Sequence, residues 1–534
     1  MNTLIHALKN HAQLSPTQVA LHGADFHLNY RDLYREITAL TQLLQEQVCE
    51  QFEAPVIAIS IENHPAWVVV DIASANAEIP VVPIPFFFTA TQQLHAIEDA
   101  GVNCLITDRP AFYKALLKHQ SVLSQREFDI AGKTLTQFEF TTAVSNALPA
   151  NTAKITYTSG TTGNPKGVCL NMSSILLVAE SLREAVKMHQ DDVHLCILPL
   201  STLLENIAGI YTTLLAGAKA VLLPGDSVGL NLEKASADGL DAQKMLSALE
   251  TSKASTSILT PELLLALTKT LETTSLQQGS TTKLPAHLRF LAVGGASTSP
   301  SLLERARAVG LPVYEGYGLS EGCSVVALNT EQDNKIGSVG KLLPHASIKF
   351  SKDGEILVKG ATLLGYANNQ LQSNSVTKVD YQTSYYPTGD IGRLDSQGYL
   401  YIIGRKKNIF ITSFGRNVSP EWVERELTLS PYIAQAILFG EAKPWNTLLI
   451  TLNKAADSRD VQAAIDNVNQ NLPYYARVEK WLYTNEPFSK ANGELTNNGR
   501  LRRDAIWQHY QTQVNALYIA SDISSNEEPH NAVL

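Results

Sequence analysis

The sequence predicts an α/β protein with a large N-terminal domain of doubly wound mixed sheets plus a β-rich subdomain, followed by a small α+β C-terminal domain. From about residue 66 to about residue 320, helical stretches alternate with short apolar runs, which is typical of parallel strands covered by helices on both faces. After about residue 330, strand-like pieces separated by Gly, Asp and Asn turns predominate, as in antiparallel structure. The chain has 534 residues, 44% of them hydrophobic, which is enough for more than one core.

The charge balance and the cysteines exclude several classes of protein. There are 42 Lys and Arg against 51 Asp and Glu, a formal net charge of -9, which argues against a broad basic surface for nucleic acid. The five cysteines form no C-x-x-C pair, which predicts a reduced, cytoplasmic protein without a structural zinc site. The N-terminus lacks the apolar run of a signal peptide. Charged residues and prolines interrupt the apolar region 67–88, so no transmembrane segment is expected.

Helix-and-strand units recur in the first part of the chain. TATQQLHAIEDAG at 89–101 predicts a helix before the strand VNCLITD. Apolar residues from Ile207 to Leu215 recur at helical spacing, and a glycine ends that helix before the strand AKAVLLP. Ser299-Pro300 opens a helix before the strand in LPVYEGYG. Ligands of such sheets bind outside the carboxyl ends of the strands.

The second part predicts antiparallel pieces and then a compact unit. GEILVKG, GRLDSQGYLYIIG and NIFITSFG are typical of short strands. A boundary is expected near Gly404, giving an N-terminal domain of residues 1–404 and a C-terminal domain of residues 405–534. In the second domain, Ser419-Pro420 starts a helix, AILFG and TLLITLN are strands, and LRRDAIWQHYQTQVNALY is the last helix. The polar tail from about residue 519 is expected to be disordered.

A run of small and hydroxyl residues precedes a lysine in the first half of the chain. The run is Thr158, Ser159, Gly160, Thr161, Thr162 and Gly163, and Lys166 follows it. Backbone N–H groups and hydroxyls in such a loop approach an anion closely, and the lysine adds a positive charge. It is not a Walker A loop, because Pro165 stands where that motif requires Gly and Gly167 where it requires Ser or Thr. A polar turn without a ligand has the same composition, but the ordered string predicts a phosphate site.

Five motifs of this chain resemble those of one enzyme superfamily. YTSGTTGNPKG at 157–167 is similar to the phosphate loop of adenylate-forming enzymes, which include acyl-CoA synthetases, adenylation domains of peptide synthetases and luciferases. The other motifs follow in that superfamily's order: VGGAS (293–297), YEGYGLSEG (314–322), YPTGDIGRL (386–394) and GRKKNIFITSFGRNVSPEWVE (404–424). The resemblance covers nearly the whole chain and is strongest to the AMP-forming long-chain fatty acyl-CoA synthetases.

The resemblance implies which residues contact ATP and Mg²⁺. Ser320 would reach the α-phosphate, and Asp390 would accept hydrogen bonds from two ribose hydroxyls, with Arg405 donating to the sugar or a phosphate. The hard oxygen of Glu321 would bind Mg²⁺ together with the hydroxyl of Thr161. The remaining implied contacts are the phosphate loop from Thr158 to Gly163 with Lys166, and the adenine-side residues Gly295, Ala296, Tyr317 and Gly318.

The resemblance also implies a mobile C-terminal domain. Lys407 would be the hinge about which this domain rotates, because enzymes of the superfamily use one orientation for adenylation and another for thioester formation. Gly415 lies in the loop that the second orientation would bring to the thiol. A solvated linker is the alternative interpretation of Lys407.

Two positions depart from the pattern of the superfamily. Arg500 stands where relatives carry a lysine that bridges the substrate carboxylate and the ATP phosphates, and arginine is not interchangeable with lysine. Lys490 is an alternative, and so is a different alignment register. Thr202 stands where long-chain relatives usually have His. No Asp is present near LPLSTLLENIAG to hold an amino-acid ammonium, and Glu205 is the only acid there.

The implied activity is ATP-dependent activation of a carboxylic acid, a fatty or otherwise apolar one, to an acyl adenylate with release of pyrophosphate. Transfer to a thiol follows, with coenzyme A as the expected acceptor and the phosphopantetheine of an acyl carrier protein as the alternative. Lys166, Glu321 and Arg500 would carry the chemistry. A non-catalytic nucleotide-binding homologue and a luciferase-type oxidase are further alternatives. We expect a monomer or homodimer with no nucleic-acid partner.

Overall fold

A computed structural model describes residues 3–141, 148–158, 165–231, 240–278, 285–367, 383–453, 456–484, 486–496 and 501–519. The α-helices within these ranges are α1 (Thr3–Leu14), α2 (Tyr30–Leu44), α3 (Pro65–Asn76), α4 (Ala90–Asp99), α5 (Pro110–Leu116), α6 (Met172–Ala185), α7 (Thr212–Leu215), α8 (Ala242–Thr251), α9 (Pro261–Gln278), α10 (Pro300–Ala308), α11 (Pro420–Leu427), α12 (Ser458–Asn471) and α13 (Arg503–Ile519). Two π-helices cover Gln45–Cys49 and Leu204–Tyr211, and 3-10 turns cover Gly225–Val228, Ser320–Gly322 and Tyr474–Ala476.

The strands, in chain order, are β1 (Val19–His22), β2 (His27–Asn29), β3 (Ile57–Ser60), β4 (Val81–Pro83), β5 (Cys104–Thr107), β6 (Ser121–Ile130), β7 (Lys133–Thr141), β8 (Lys154–Thr158), β9 (Lys166–Leu170), β10 (Val193–Cys196), β11 (Lys219–Leu222), β12 (Thr256–Leu259), β13 (Phe290–Val293), β14 (Val313–Tyr317), β15 (Ala327–Leu328), β16 (Lys341–Leu342), β17 (Ala346–Phe350), β18 (Glu355–Gly360), β19 (Gly365–Tyr366), β20 (Tyr386–Leu394), β21 (Leu400–Arg405), β22 (Phe410–Ile411), β23 (Asn417–Val418), β24 (Ile433–Phe439), β25 (Asn446–Leu452) and β26 (Val478–Thr484).

A nine-stranded sheet carries most of the predicted helix-and-strand units. Its order is β16-β15-β14-β13-β12-β10-β11-β1-β2. The strands from β14 to β1 are parallel, and antiparallel strands close both edges. Helix α10 begins at Pro300, with the Ser299 side chain accepting a hydrogen bond from Ser301 N–H, as expected for Pro in the first helical turn after a Ser cap.

An eight-stranded sheet, of order β19-β9-β8-β4-β3-β5-β7-β6, forms the second layer. Strands β5, β3, β4 and β8 are parallel, and the others are antiparallel. Helix α3 is buried from Pro65 to Ser74 and packs in the main hydrophobic core. The apolar region 67–88 thus contains most of the buried helix α3 and the buried strand β4. The long hairpin of β6 and β7 was not predicted.

The rest of the chain is antiparallel and then α+β, as predicted. A four-stranded sheet of order β17-β18-β20-β21 follows the large sheets. The C-terminal unit pairs β24 antiparallel with β25, and β25 parallel with β26. Its own core contains residues of α11 and α12. The predicted α/β fold with mixed sheets and a separate C-terminal domain is confirmed, while the boundary at residue 404 and the mobility of the second domain stay predictions.

Candidate active site

A cleft of about 1280 Å³ lies between the carboxyl ends of β13 and β14, the strands β20 and β21, and helix α11. Many of the residues implied by the resemblance line this cleft: Thr158, Gly295, Ala296, Tyr317, Gly318, Ser320, Glu321, Asp390, Arg405 and Lys407. The structure therefore brings together side chains from all five motifs, as the rule for parallel sheets predicts.

The remaining predicted residues are placed differently or lie outside the described ranges. Lys166 is exposed at the start of β9 and is the cross-strand partner of Thr158, so the two ends of the phosphate loop lie side by side. Gly415 is exposed, has a φ of 69° and does not line the cleft. Ser159, Gly160, Thr161, Thr162, Gly163, Arg500 and the tail from residue 520 lie outside the described residues. The roles of all these residues stay predictions.

Asp390 is held by two side chains in the cleft. Tyr317 Oη donates to Asp390 Oδ2 at 2.6 Å, and Arg405 Nε lies 2.9 Å from Asp390 Oδ1. The cross-strand pairing of Asp390 with Arg405 fixes the second contact. Burial, and then the neighbouring carboxylate, raise the pKa of Tyr317 well above its usual value, so the phenol remains a hydrogen-bond donor. A nearly buried carboxylate with fixed orientation can accept hydrogen bonds from vicinal hydroxyls.

A second cluster surrounds Glu321. Tyr366 Oη lies 3.4 Å from Glu321 Oε1 and 3.0 Å from Tyr386 Oη. Lys166 Nζ lies 6.0 Å from the centre of the Tyr366 ring, a cation–π distance. Tyr366 therefore lies close to both Glu321 and Lys166, the lysine at the end of the phosphate loop. The carboxylate of Glu321 is the hard oxygen donor that Mg²⁺ prefers.

Glycine occupies positions 318 and 295 on the adenine side for two different structural reasons. A Cβ on Gly318 would lie 1.5 Å from the carbonyl oxygen of Ser324, so backbone packing alone requires glycine there. Gly295 has a φ of +83°, and a Cβ on it would meet nothing within 4 Å. Open space at Gly295 is compatible with a planar ring lying against the backbone.

The C-terminal domain closes one side of the cleft through α11. Arg425 of this helix donates to Ser297 Oγ, and Ser299 Oγ donates to Glu426 Oε2 at 2.9 Å. Glu315 lies beneath this contact and accepts a hydrogen bond from Thr298 N–H at 3.0 Å. Burial raises the pKa of Glu315 to about 7, against the opposing effects of the Thr298 hydrogen bond and the charge of Arg425. Sequence reasoning missed this carboxyl group.

From the nucleotide side, the cleft continues as an apolar branch between the nine-stranded sheet and two helices. We define this apolar branch by the lining residues Leu182, Leu204, Ala208, Ile258, Phe290 and Ala292. Leu204 and Ala208 belong to the π-helix, and Leu182 belongs to α6. Such a branch has the surface that an apolar acid needs.

Glu205 does not line the cleft. Its Oε1 lies 2.8 Å from His194 Nε2, and its Oε2 accepts a hydrogen bond from Leu198 N–H at 3.1 Å. The side chains of His194, Cys196 and Glu205 place ligand atoms within 4.8 Å of one another. The expectation of scattered cysteines with no metal-type cluster overlooked this group, because its members come from β10 and the following π-helix.

A buried ion pair joins helix α3 to strand β8 of the eight-stranded sheet. Lys154 Nζ lies 2.8 Å and 2.9 Å from the carboxylate oxygens of Asp71, and both side chains are 1% exposed. Tyr211 Oη donates to Asp71 Oδ2 at 2.9 Å, and Asn206 Nδ2 donates to it at 3.1 Å. Lys154 starts the strand that leads into the phosphate loop, whereas Asn206 and Tyr211 belong to the π-helix. The network therefore holds the phosphate side and the apolar branch in one arrangement.

Across the described ranges, none of the helices combines the length and apolar character needed to cross a bilayer.

The family model of the AMP-binding enzymes matches residues 8–366, and that of the AMP-binding enzyme C-terminal domain matches residues 407–522. A long-chain-fatty-acid–CoA ligase of Mycobacterium bovis is 26% identical over 520 residues, covering 85% of this chain and 86% of the relative. A 2-succinylbenzoate–CoA ligase of Bacillus subtilis is 27% identical over 509 residues, covering 92% and 96%.

Known structures share the fold. The o-succinylbenzoate CoA synthetase of Bacillus subtilis in complex with its acyl-adenylate intermediate has a TM-score of 0.72 at 23% identity, covering 95% of this chain and 98% of that one. The same enzyme with ATP and magnesium ion has a TM-score of 0.70 at 23% identity, covering 93% and 98%. The predicted superfamily and the predicted class of AMP-forming acid–thiol ligases are confirmed. The chain belongs to the family of AMP-binding enzymes.

Proposed function

We propose that this protein joins an apolar carboxylic acid to the thiol of coenzyme A at the expense of ATP, through an acyl adenylate. The observation that carries the proposal is that Thr158, Glu321 and Asp390 line one cleft with the apolar branch. A nucleotide and an organic acid therefore fit side by side. The relatives that act on long-chain fatty acids and on 2-succinylbenzoate support this class of reaction.

In the first step, a carboxylate oxygen of the acid attacks the α-phosphorus of ATP, and the bond from that phosphorus to the bridging oxygen of pyrophosphate breaks. Asp390 orients the ribose, Ser320 contacts the α-phosphate, and Lys166 with Arg500 balances charge on the phosphate oxygens. Positioning and charge stabilisation supply most of the acceleration in such displacements.

Glu321 would hold Mg²⁺ together with Thr161. Tyr366 Oη lies 3.4 Å from Glu321 Oε1, and a carboxylate in this setting suits a hard cation. The ion, when bound, supplies positive charge to the phosphate oxygens. Tyr366 orients the Glu321 carboxylate from the side of Lys166.

In the second step, the thiol sulfur attacks the carbonyl carbon of the adenylate, and AMP leaves with the bonding electron pair. The thiol proton passes to solvent. Lys407 is the proposed hinge for the domain rotation that precedes this step, and Gly415 is proposed to move to the thiol. Docking of α11 through Arg425 represents one of the two orientations.

The apolar branch favours a fatty or otherwise apolar acid over an amino acid. An ammonium group would need a carboxylate partner there, and Glu205 of the π-helix is already bonded to His194 and to Leu198 N–H. Coenzyme A is the preferred acceptor because the curated relatives are CoA ligases. A carrier-protein phosphopantetheine, a cytoplasmic location and a monomeric or homodimeric state remain proposals from the sequence.

Mass spectrometry of single-turnover mixtures tests the proposal. With ATP, Mg²⁺ and an apolar acid, we expect the mass of the acyl adenylate, and its conversion to the acyl-CoA when coenzyme A is added. Conversion of the adenylate only with a phosphopantetheinylated carrier protein would show that the acceptor is the carrier protein and not coenzyme A. No adenylate with any acid, together with measurable ATP binding in calorimetry, would favour the non-catalytic homologue.

A further inference from the structure

The deep end of the apolar branch is polar. His194, Thr256 and Phe290 pair across β10, β12 and β13 in one row, and all three line the cavity. We call this set the deep row. It lies at the amino ends of these strands, whereas Gly294, which also lines the cavity, follows the carboxyl end of β13. Four residues of a strand rise about 13 Å. An extended chain from the nucleotide level to the deep row therefore contains roughly ten carbons.

The hydrogen bonds of the deep row leave one acceptor on a residue that lines this space. His194 Nδ1 lies 3.0 Å from Thr256 Oγ1, and its Nε2 lies 2.8 Å from Glu205 Oε1. When His194 donates from Nε2 to Glu205 and accepts at Nδ1, the Thr256 hydroxyl donates its hydrogen bond to Nδ1. The Thr256 oxygen then keeps a lone pair, and among the described residues it has no hydrogen-bond partner other than His194.

The three polar side chains are almost fully buried, with exposed fractions of 2% for His194, 0% for Glu205 and 3% for Thr256. Few polar groups occur in an apolar ligand site, and those present fix the orientation of the ligand. A ligand O–H group would donate to the spare lone pair of Thr256. A second carboxylate would meet the charge of Glu205 behind the imidazole, and no lysine or arginine is among the described residues that line this end of the branch.

We propose that the acid bound by this protein carries a hydroxyl near its far end, roughly ten carbons from the carboxylate, and that this hydroxyl donates to Thr256 Oγ1. The substrate class is thus an ω-hydroxy carboxylic acid with an apolar spacer. This inference rests on the proposed function, in which the apolar branch binds the acid. Thr256 determines specificity here, and His194 positions its hydroxyl.

Acid-dependent exchange of pyrophosphate into ATP with three acids of equal chain length tests the inference. We expect kcat/KM for 10-hydroxydecanoate to exceed that for decanoate by about three- to tenfold, the effect of one neutral hydrogen bond. The discrimination is modest because His194 already satisfies Thr256 when the ligand ends in a methyl group. Decanedioate is expected to be at least tenfold poorer than decanoate. A ratio of one or less for the hydroxy acid, or a preference for the diacid, would overturn the inference.

A Thr256→Val variant removes the acceptor at nearly constant volume. We expect its ratio of hydroxydecanoate to decanoate to fall to one or below, and Thr256→Ser to restore a ratio above one. Thr213→Val is the matched control, because that buried hydroxyl donates to Gly209 O and does not line the cavity. Its ratio should equal that of the wild type.

The outcomes separate this inference from the proposed function. Exchange with decanoate but no gain from the hydroxyl in the wild type overturns only the hydroxy-acid inference. Exchange with none of the three acids but with another apolar acid overturns the hydroxy-acid inference alone, whereas exchange with no acid of a broad apolar panel overturns both. An unchanged ratio in Thr256→Val, with the serine variant folded and active, also overturns the role of Thr256.

Discussion

Tyr317 Oη donates a 2.6 Å hydrogen bond to Asp390 Oδ2, while Arg405 Nε lies 2.9 Å from the other oxygen of this carboxylate. Both oxygens of Asp390 are thus oriented by partners on two different sheets. Strand β14 supplies Tyr317, and β21 supplies Arg405. The carboxylate that the motif YPTGDIGRL assigns to the ribose is fixed in direction before a nucleotide arrives, which favours tight binding.

Replacing Asp390 by Asn keeps the shape of the side chain and removes its charge. We expect the Kd for ATP to rise by about ten- to a hundredfold, because hydrogen bonds to charged groups are worth about 1.5–3 kcal/mol. Isothermal titration calorimetry measures this directly. Asp191→Asn, a change at an exposed position that does not line the cleft, should leave the Kd within about twofold of the wild type on the scale of surface substitutions. An unchanged Kd for ATP in Asp390→Asn would contradict the proposal that Asp390 binds the ribose.

Glu321→Gln exchanges a charged oxygen donor for a neutral one. We expect the Mg²⁺ concentration for half-maximal adenylate formation to rise by about tenfold or more, since charge count sets the affinity of carboxylate sites for divalent cations. A magnesium titration of the initial rate measures it. Glu331→Gln, at an exposed position outside the cleft, is the control. Equal magnesium dependence in Glu321→Gln and the wild type would contradict a metal role.

Glu315 gives a pH dependence with a defined sign. Burial raises its pKa from 4.5 to about 7, so between these values the folded protein holds a proton that the unfolded chain has lost. The stabilisation is complete below about pH 4.5 and is lost as the pH rises through about 7, a change of about 3 kcal/mol. Glu315→Gln lacks this titration. We therefore expect the Tm of the variant minus that of the wild type to be larger at pH 8 than at pH 5 in calorimetric scans. The same difference in Tm at both pH values would contradict a raised pKa of Glu315.

Lys407→Pro tests the proposed hinge. Proline fixes φ near about −65° and restricts Lys406 before it, so the domain rotation should be blocked. We expect adenylate formation within about threefold of the wild type and thioester formation reduced at least about tenfold, measured by quenched-flow assays of the two half-reactions. Lys407→Ala, which leaves the backbone free, is the control. Equal loss of both half-reactions would argue against a hinge at this residue.

The sequence predicted the alternating α/β units because their apolar periodicity is local. Helix α4 and strand β5 follow from residues 89–108 alone. The hairpin of β6 and β7 escaped prediction because the edge strand β6 is exposed along most of its length and is fixed by pairing with β7, not by its own apolar pattern. The π-helix Leu204–Tyr211 has nearly the periodicity of an α-helix, so the periodicity of Ile207 to Leu215 predicted a helix without its type.

Motif residues of the site could be predicted because each lies within a contiguous string of sequence that forms a recognisable motif. The partners that orient them could not, since these come from distant parts of the chain. Lys154 and Asp71 are separated by 83 positions, and neither side chain belongs to a motif. His194 and Glu205 are closer, but only the crossing of β10 by the π-helix brings them into contact.

Formation of an acyl adenylate in this cleft is measured by the exchange of labelled pyrophosphate into ATP, with and without an added carboxylic acid. We expect exchange that requires the acid, saturates with it, and falls by at least about tenfold in Asp390→Asn at subsaturating ATP. Absence of acid-dependent exchange across a panel of apolar and hydroxy acids, with ATP bound at the cleft, would contradict it.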